Sequence, residues 1–237
     1  MDENGNVTAL QSGKTVITAR IFNGNTAECV VSVYADDASR TYSGIDVSVH
    51  NGDIDWAQAK SAGVDFAMIR CGYGSANWAG QTDKRFHENM KEALAAGMEA
   101  GVYHYSYAEN TAEAAKEAEF ALSLVKGYDF AYPIAIDLEE MFLWDMSRKE
   151  VTDMAVAFCE KIKQAGYRPM IYTTRSLLQA RIDLSRVQGY EIWLADLQNP
   201  AQYDGDYHIW QHSHTGRVNG LSGDVDLNIS YRNYGKK

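Results

Sequence analysis

The chain is poor in the features that would announce most alternative architectures. It has three cysteines, Cys29, Cys71 and Cys159, and no CxxC pair, which argues against both a disulfide framework and a thiolate zinc site. Cys71 lies in the apolar run FAMIRCGYG and Cys159 on the apolar face of an expected helix, so both read as buried, inert thiols. Only 3 prolines occur in 237 residues, and no proline-rich linker is present. No apolar run approaches the roughly 18–20 residues that a membrane span needs. The opening MDENGNV has neither the basic nor the apolar region of a signal peptide. Basic residues are outnumbered, 22 against 32 acidic, for a net charge of −10. Such a chain gains nothing from counterion release on nucleic acid and is repelled by an anionic membrane surface.

Cofactor motifs are missing too. GYGSANWAG lacks the lysine of a phosphate-binding loop, and no serine stands in a G-x-S-x-G elbow. His208, His212 and His214 fall on an expected strand, where a rise of ~3.3 Å per residue separates the first two by about 13 Å. No metal and no cofactor are expected.

What is present falls into two textures. Residues 1–37 carry short β-prone runs, Val7–Leu10, Thr15–Ile21 and Ala27–Tyr34, with Asn23-Gly24 between the last two as a hairpin signal. Residues 38–41 form a linker. From Tyr42 to the C-terminus, short apolar runs alternate with helical segments. The runs are Gly44–Val49, Phe66–Cys71, Glu99–Tyr105, Tyr132–Asp137, Pro169–Thr173, Glu191–Leu194, Tyr207–Gln211 and Val225–Ile229. In SRKEVTDMAVAFCEKIKQAG, the residues Val151, Met154, Ala155, Phe158 and Ile162 share one helical face. Helices ending at Gly97 and Gly166 carry the expected C-terminal glycine. Five successive β–α units imply parallel strands with right-handed crossovers, and the last three strands have little helix between them. The fold class is therefore α/β, a modified TIM-type barrel of (β/α)5(β)3 form, with a small N-terminal β fragment. Its reactive groups belong at the C-terminal ends of the strands.

The fourth barrel strand runs Tyr132-Pro-Ile-Ala-Ile-Asp137-Leu-Glu139-Glu140. Asp137 and Glu139 are two apart and point to one side, with Cβ atoms ~6–7 Å apart. Rotamers can bring the carboxyl groups near the ~5–5.5 Å of a retaining glycosidase. Like charges at that range push one pKa up and leave an acid beside an anion. Glu140 faces the other way. A D-x-E triplet alone is a weak motif, but Asp46 and Asp226 also stand in apolar runs, on the first and last strands, which are neighbours in a closed barrel. Four acids around one mouth make sense as a site, where one isolated inward acid would be costly. Tyr73, Tyr103, Tyr105, Tyr107, Tyr172, Trp193 and Trp210 fall near strand ends, where aromatic faces can stack on sugar rings. His104 and Arg70 are strand residues, and His104 reads as a core hydrogen-bonding group.

The segments GIDVSVHNGDIDW (44–56), FAMIRCGYG (66–74), GVYHYSYA (101–108), PIAIDLE (133–139), IYTT (171–174), EIWLADL (191–197) and IWQHSHTGRVNGLSGDVDLNIS (209–230) together resemble the glycoside hydrolase family 25 lysozymes, or muramidases. The resemblance spans Tyr42 to the C-terminus, and implies a catalytic barrel over 42–237. DENGNVTALQSGKTVITARIFNG resembles the last part of a bacterial immunoglobulin-like module of group 2, so 1–37 is expected to be a partial module. The lysozyme resemblance implies that Glu139 is the general acid and Asp137 its partner, either nucleophile or orienter of the substrate acetamido group. It implies that Asp46 and Asp226 shape the electrostatics, and that Asp196 tunes substrate binding. Tyr73, Tyr105, Tyr107, Tyr172, Trp193 and Trp210 are the expected sugar contacts. The implied partner is the peptidoglycan glycan strand, cut between N-acetylmuramic acid and N-acetylglucosamine by a secreted or wall-associated monomer, without nucleic acid or membrane insertion. Two alternatives are a glycan-binding module on an inactive barrel and a chitinase-type enzyme, although Ala135 occupies the place of the latter's extra aspartate.

Overall fold

The computed structural model describes residues 13–22, 24–33 and 40–235. The chain divides into two compact units, Met1–Arg40 and Thr41–Lys237. The first contains a hairpin of β1 (Gly13–Arg20) and β2 (Thr26–Val33), paired antiparallel from Gly13↔Val33 to Arg20↔Thr26. Its connection is closed by Gly24 N–H donating to the Ile21 carbonyl at 2.9 Å, with Gly24 at φ 89°, a left-handed conformation that glycine adopts without strain. The hairpin expected around Asn23-Gly24 is thus present. The expected Val7–Leu10 run and part of the 38–41 linker lie outside the described residues.

The second unit is a closed barrel of eight strands, β3 (Tyr42–Val47), β4 (Phe66–Tyr73), β5 (Glu99–Tyr105), β6 (Ile134–Leu138), β7 (Pro169–Thr174), β8 (Glu191–Ala195), β9 (Ile209–Gly216) and β10 (Val225–Ser230). Neighbours from β3 to β9 are parallel, while β10 runs antiparallel to both β9 and β3. The reversal corrects the expectation that all reactive groups sit at C-terminal strand ends. Residues 217–224 are too few for the crossover of a dozen or more residues that a parallel return needs. The chain therefore turns back, and the start of β10 lies at the same mouth as the ends of its neighbours.

Among the described residues, seven α-helices join the strands: α1 (Trp56–Ser61), α2 (Trp78–Gln81), α3 (Phe86–Ala95), α4 (Thr111–Val125), α5 (Arg148–Gln164), α6 (Arg175–Arg181) and α7 (Leu184–Val187). Helix α5 starts at a capping box in which the Ser147 side chain accepts from Glu150 N–H and Glu150 accepts from Ser147 N–H. Its face of Val151, Met154, Ala155, Phe158 and Ile162 is buried as the spacing predicts. Gly97 (φ 73°) and Gly166 (φ 87°) follow α3 and α5 in the left-handed region, where a side chain would be strained.

Strand alternation sorts the core into two layers. Ala67, Ile69, Ile134, Ile136, Leu138 and Leu194 join the layer that contains the buried helix residues. Phe66, Met68, Tyr103, Ala135, Tyr172 and Trp193 fill the barrel interior. Room for that interior is made by glycine. A Cβ on Gly44 would lie 2.2 Å from the Phe66 ring, and one on Gly101 would lie 2.5 Å from the Met68 sulfur. Phe66 is held in turn against Tyr132, with ring centroids 4.5 Å apart. At the lower end Glu191 is buried against Arg232 and the Tyr234 hydroxyl (2.7 Å). Gly44→Ala is therefore expected to destabilise the barrel by about 1–3 kcal/mol through overpacking. A chemical-denaturation midpoint equal to that of the parent chain would contradict this packing.

Candidate active site

The alternation that fills the barrel with apolar groups below delivers polar ones above. On β3, Gly44 faces the interior and Asp46, two residues on, reaches the mouth. On β6, Ala135 is interior, and Asp137 and then Glu139 follow on the same side, while Leu138 between them packs outward. On β10, Asp226 is the register partner of Asp46. Asp46, Asp137, Glu139 and Asp226 all line one cavity of about 380 Å³ at this end of the barrel.

Asp46 is the anchor of a buried hydrogen-bond network. Its Oδ2 accepts from Gln211 Nε2 at 2.9 Å and from Asn228 Nδ2 at 2.7 Å. Asn228 Oδ1 accepts from the Trp193 indole N–H at 2.8 Å, and Gln211 Oε1 accepts from the Tyr172 hydroxyl at 2.9 Å. The same hydroxyl lies 3.4 Å from Glu139 Oε2. One network thus ties the first strand to the last and links the Asp46 carboxyl to Glu139.

Burial dominates the electrostatics. It pushes the Asp46 carboxyl up to about 8, assisted by the charge of Asp226, while the two amide donors oppose the shift. Burial likewise raises Asp137 well above the ordinary carboxylate range, reinforced by Glu139 and Asp46. Asp137 Oδ1 is buried with no hydrogen-bond partner, an arrangement that is costly unless something else donates to it. Burial also raises Glu139, and the Tyr172 hydroxyl works against that rise. Asp226 is raised by burial and held back by His214, whose Nδ1 lies 3.5 Å from Asp226 Oδ1.

Tyr105, Tyr172 and Trp193 line the same cavity. Tyr73 and Tyr107 instead line an adjoining chamber of about 630 Å³. Asp196 and Trp210, also expected among the sugar contacts, are not among the residues that line either cavity. Asp196 is buried at the end of β8, where its carboxylate accepts from Gln198 N–H (3.2 Å) and Gln202 N–H (2.7 Å), and Arg175 lies 3.5 Å away. Its backbone carbonyl accepts from the Trp210 indole N–H at 2.7 Å. These two residues pin the loop after β8. Glu140 is turned to the Tyr105 hydroxyl at 3.0 Å.

Among the histidines, His104 is a core group. Its Nε2 contacts the Gly74 carbonyl at 3.0 Å, and burial lowers its pKa to about 3. His208 accepts from Ile192 N–H at 3.3 Å, and His212 packs on Trp210. His214 alone of these three lines the reaction cavity. The sequence pattern also passed over Ser48, Gln211 and Asn228. Ser48 continues the period-two alternation after Asp46 and was findable by that signal. Gln211 and Asn228 matter because of which strands meet, and local spacing carries no trace of that.

A family model described as glycosyl hydrolases family 25 matches residues 45–221. The autolytic lysozyme of Clostridium acetobutylicum is 27% identical over 185 residues, 78% of this chain and 54% of that one. Lysozyme M1 of Streptomyces globisporus is 30% identical over 199 residues, 78% of this chain and 66% of that one. The chain thus spans between half and two thirds of the length of these relatives. Among solved structures, the modular autolysin LytC of Streptococcus pneumoniae in complex with a synthetic peptidoglycan ligand superposes with a TM-score of 0.71 at 30% identity. It covers 80% of this chain and 46% of that one.

The raised Asp46 gives a pH signature. Unfolded, the group titrates near 3.8, and folded near 8. Between those values the native state holds a proton that the unfolded state has released, so stability falls as pH rises through the window. Asp137, Glu139 and Asp226 act in the same direction. The melting temperature is expected to drop from pH 5 to pH 8, and Asp46→Asn, which keeps an amide oxygen as acceptor, is expected to flatten the drop. Parallel melting curves for parent and variant across that range would contradict it.

Proposed function

The chain belongs to glycosyl hydrolases family 25, and on that premise we propose that it is a peptidoglycan hydrolase, an N-acetylmuramidase that cleaves the β-1,4 bond between N-acetylmuramic acid and N-acetylglucosamine with retention. The observation that carries this is the convergence of Asp46, Asp137, Glu139 and Asp226 on one cavity flanked by Tyr105, Tyr172 and Trp193. On the same reading, residues 42–237 are the catalytic barrel and 1–37 the remnant of an immunoglobulin-like module. The protein acts outside the cell, at the wall. Every group named in the site belongs to one chain, so a monomer suffices.

Glu139 is the general acid. Burial favours its protonated form, and it gives that proton to the glycosidic oxygen as the bond to the anomeric carbon breaks. Asp137 is assigned to orient the substrate. Its unpartnered, buried Oδ1 is suited to accept from the acetamido N–H of the muramyl unit, and this turns the acetamido oxygen onto the anomeric carbon. Water then attacks that carbon, Glu139 takes its proton, and two inversions leave the configuration retained. Asp46 and Asp226, sharing negative charge across the mouth, favour the positive charge that develops on the sugar ring. Tyr105, Tyr172 and Trp193 supply faces for the ring and polar tips for its hydroxyls.

Glu139→Gln is expected to fold normally and to lose about 10²–10⁴-fold of its rate of reducing-end release from purified peptidoglycan. Full activity in that variant would refute the assignment. Mass spectrometry of the products should find N-acetylmuramic acid at each new reducing end, and N-acetylglucosamine there would make the enzyme a glucosaminidase. Activity should fall as pH rises through the raised Glu139 pKa. Tyr172→Phe removes the contact that lowers it, so the alkaline limb of the profile should move to higher pH. A limb unmoved, or moved to lower pH, would separate Glu139 from that limb.

A further inference from the structure

The adjoining chamber of about 630 Å³ shares His50, Arg70 and Tyr105 with the reaction cavity, so the two are neighbours across that wall. Their charges differ. Five carboxyl groups line the reaction cavity, those of Asp46, Asp137, Glu139, Asp224 and Asp226. The chamber has one, Asp83, and it is fully engaged. Asp83 is buried, takes the Arg70 guanidinium at 2.9 Å, and accepts from Val49 N–H and Arg85 N–H at 3.0 Å each. Arg70 and Asp83 therefore cancel. Lys84, next in sequence to Asp83, lines the chamber, is exposed, and forms no ion pair among the described residues. The chamber's uncompensated charge is positive. Its wall is set by Tyr73, whose hydroxyl donates to the Gly80 carbonyl at 3.2 Å, and by Tyr107, whose ring lies 6.0 Å from that of Tyr73 and 5.4 Å from that of Tyr105.

We propose that this chamber receives the carboxylate-bearing arm of the muramyl residue, with Lys84 as the specificity-determining cation. The inference rests on the muramidase assignment above. A muramyl sugar held at Asp137 and Glu139 carries a lactyl ether, which either ends in a carboxylate or continues as a peptide with carboxylates of its own. Among the described residues, the reaction cavity offers such an arm no lysine, and its one arginine, Arg70, is held by Asp83. A third cavity, of about 350 Å³ and with Lys116 in its wall, shares no residue with the reaction cavity. The chamber adjoins the reaction cavity, and Lys84 is part of its wall.

The test is steady-state hydrolysis of soluble peptidoglycan by the parent chain, Lys84→Met and Lys84→Glu. Three substrates are compared: intact strands, strands stripped of peptide by an amidase, and strands whose carboxyls have been converted to amides. On intact strands Lys84→Glu should raise KM about five- to tenfold with kcat within about twofold, as expected for reversing one solvent-screened charge pair. Lys84→Met should fall between, and the effect should shrink at high salt. On amidated strands the variants should match the parent. Persistence of the effect on stripped strands assigns the contact to the lactyl carboxylate, and its loss there assigns it to the peptide. An unchanged KM on both intact and stripped strands, or an equal change on amidated strands, would overturn the proposal. Calorimetry on Glu139→Gln with N-acetylmuramic acid, N-acetylmuramyl-L-alanyl-D-isoglutamine and the carboxamide of each keeps the two ideas separable. A parent chain that releases no reducing ends refutes the muramidase assignment. Lys84-dependent preference for either free acid over its amide supports the chamber even then, and equal binding of both acids and their amides refutes it.

Discussion

Closure of the barrel at the seam between β10 and β3 is the constraint on which the rest depends. Asp46 and Asp226 are register partners across that seam, so forming the last antiparallel pair also brings two carboxyl groups together. Gln211 and Asn228, from β9 and β10, are what make the burial of Asp46 tolerable, because two amide donors converge on a single oxygen. Tyr172 and Trp193 extend that support around the wall. The network fixes the shape of the cavity and its electrostatics at once, since the same donors that hold Asp46 limit how far its pKa rises.

The arrangement costs stability and uses it for chemistry. Burying several like-charged groups at one mouth favours protonated forms at neutral pH, and an acid that is protonated there is what cleavage of a glycosidic bond requires. The lower half of the barrel compensates with dense packing. Gly44 and Gly101 admit Phe66, Met68 and Tyr132 into the interior, and the Glu191–Arg232 pair with Tyr234 closes the base. Rigid groups below and strained electrostatics above follow from one alternation pattern read in opposite directions along the same strands.

Much of this was legible in local pattern. The eight apolar runs lie at or within a few residues of the barrel strands, because a buried strand must be continuously apolar wherever helices cover its outer face. The face of α5 and its glycine stop follow from period and from φ preference. Asp137 and Glu139 were findable because an acid two residues beyond another continues a strand's inward side. Asp196 and Trp210 stand where their motif ends a strand, and there the carboxylate and the indole bond the backbone of the loop that follows. Gln211 and Asn228 were passed over, since an amide in a late strand has no meaning until its cross-barrel neighbour is known.

The sequence by itself determined the order of strands and helices, the inward side of each strand and the family to which the barrel belongs. All of these depend on periodicity and short motifs, which are properties of neighbouring residues. Asp46 and Asp226 were already neighbours by strand count, but only the tertiary structure decided that β10 runs backward, so that Asp226 reaches Asp46 from a strand start, and that Tyr73 and Tyr107 line a chamber beside the acids. The reason is that closure of a barrel brings together residues as far apart in sequence as Ser230 and Tyr42. Both desolvation and Coulomb repulsion act through space, without regard to distance along the chain.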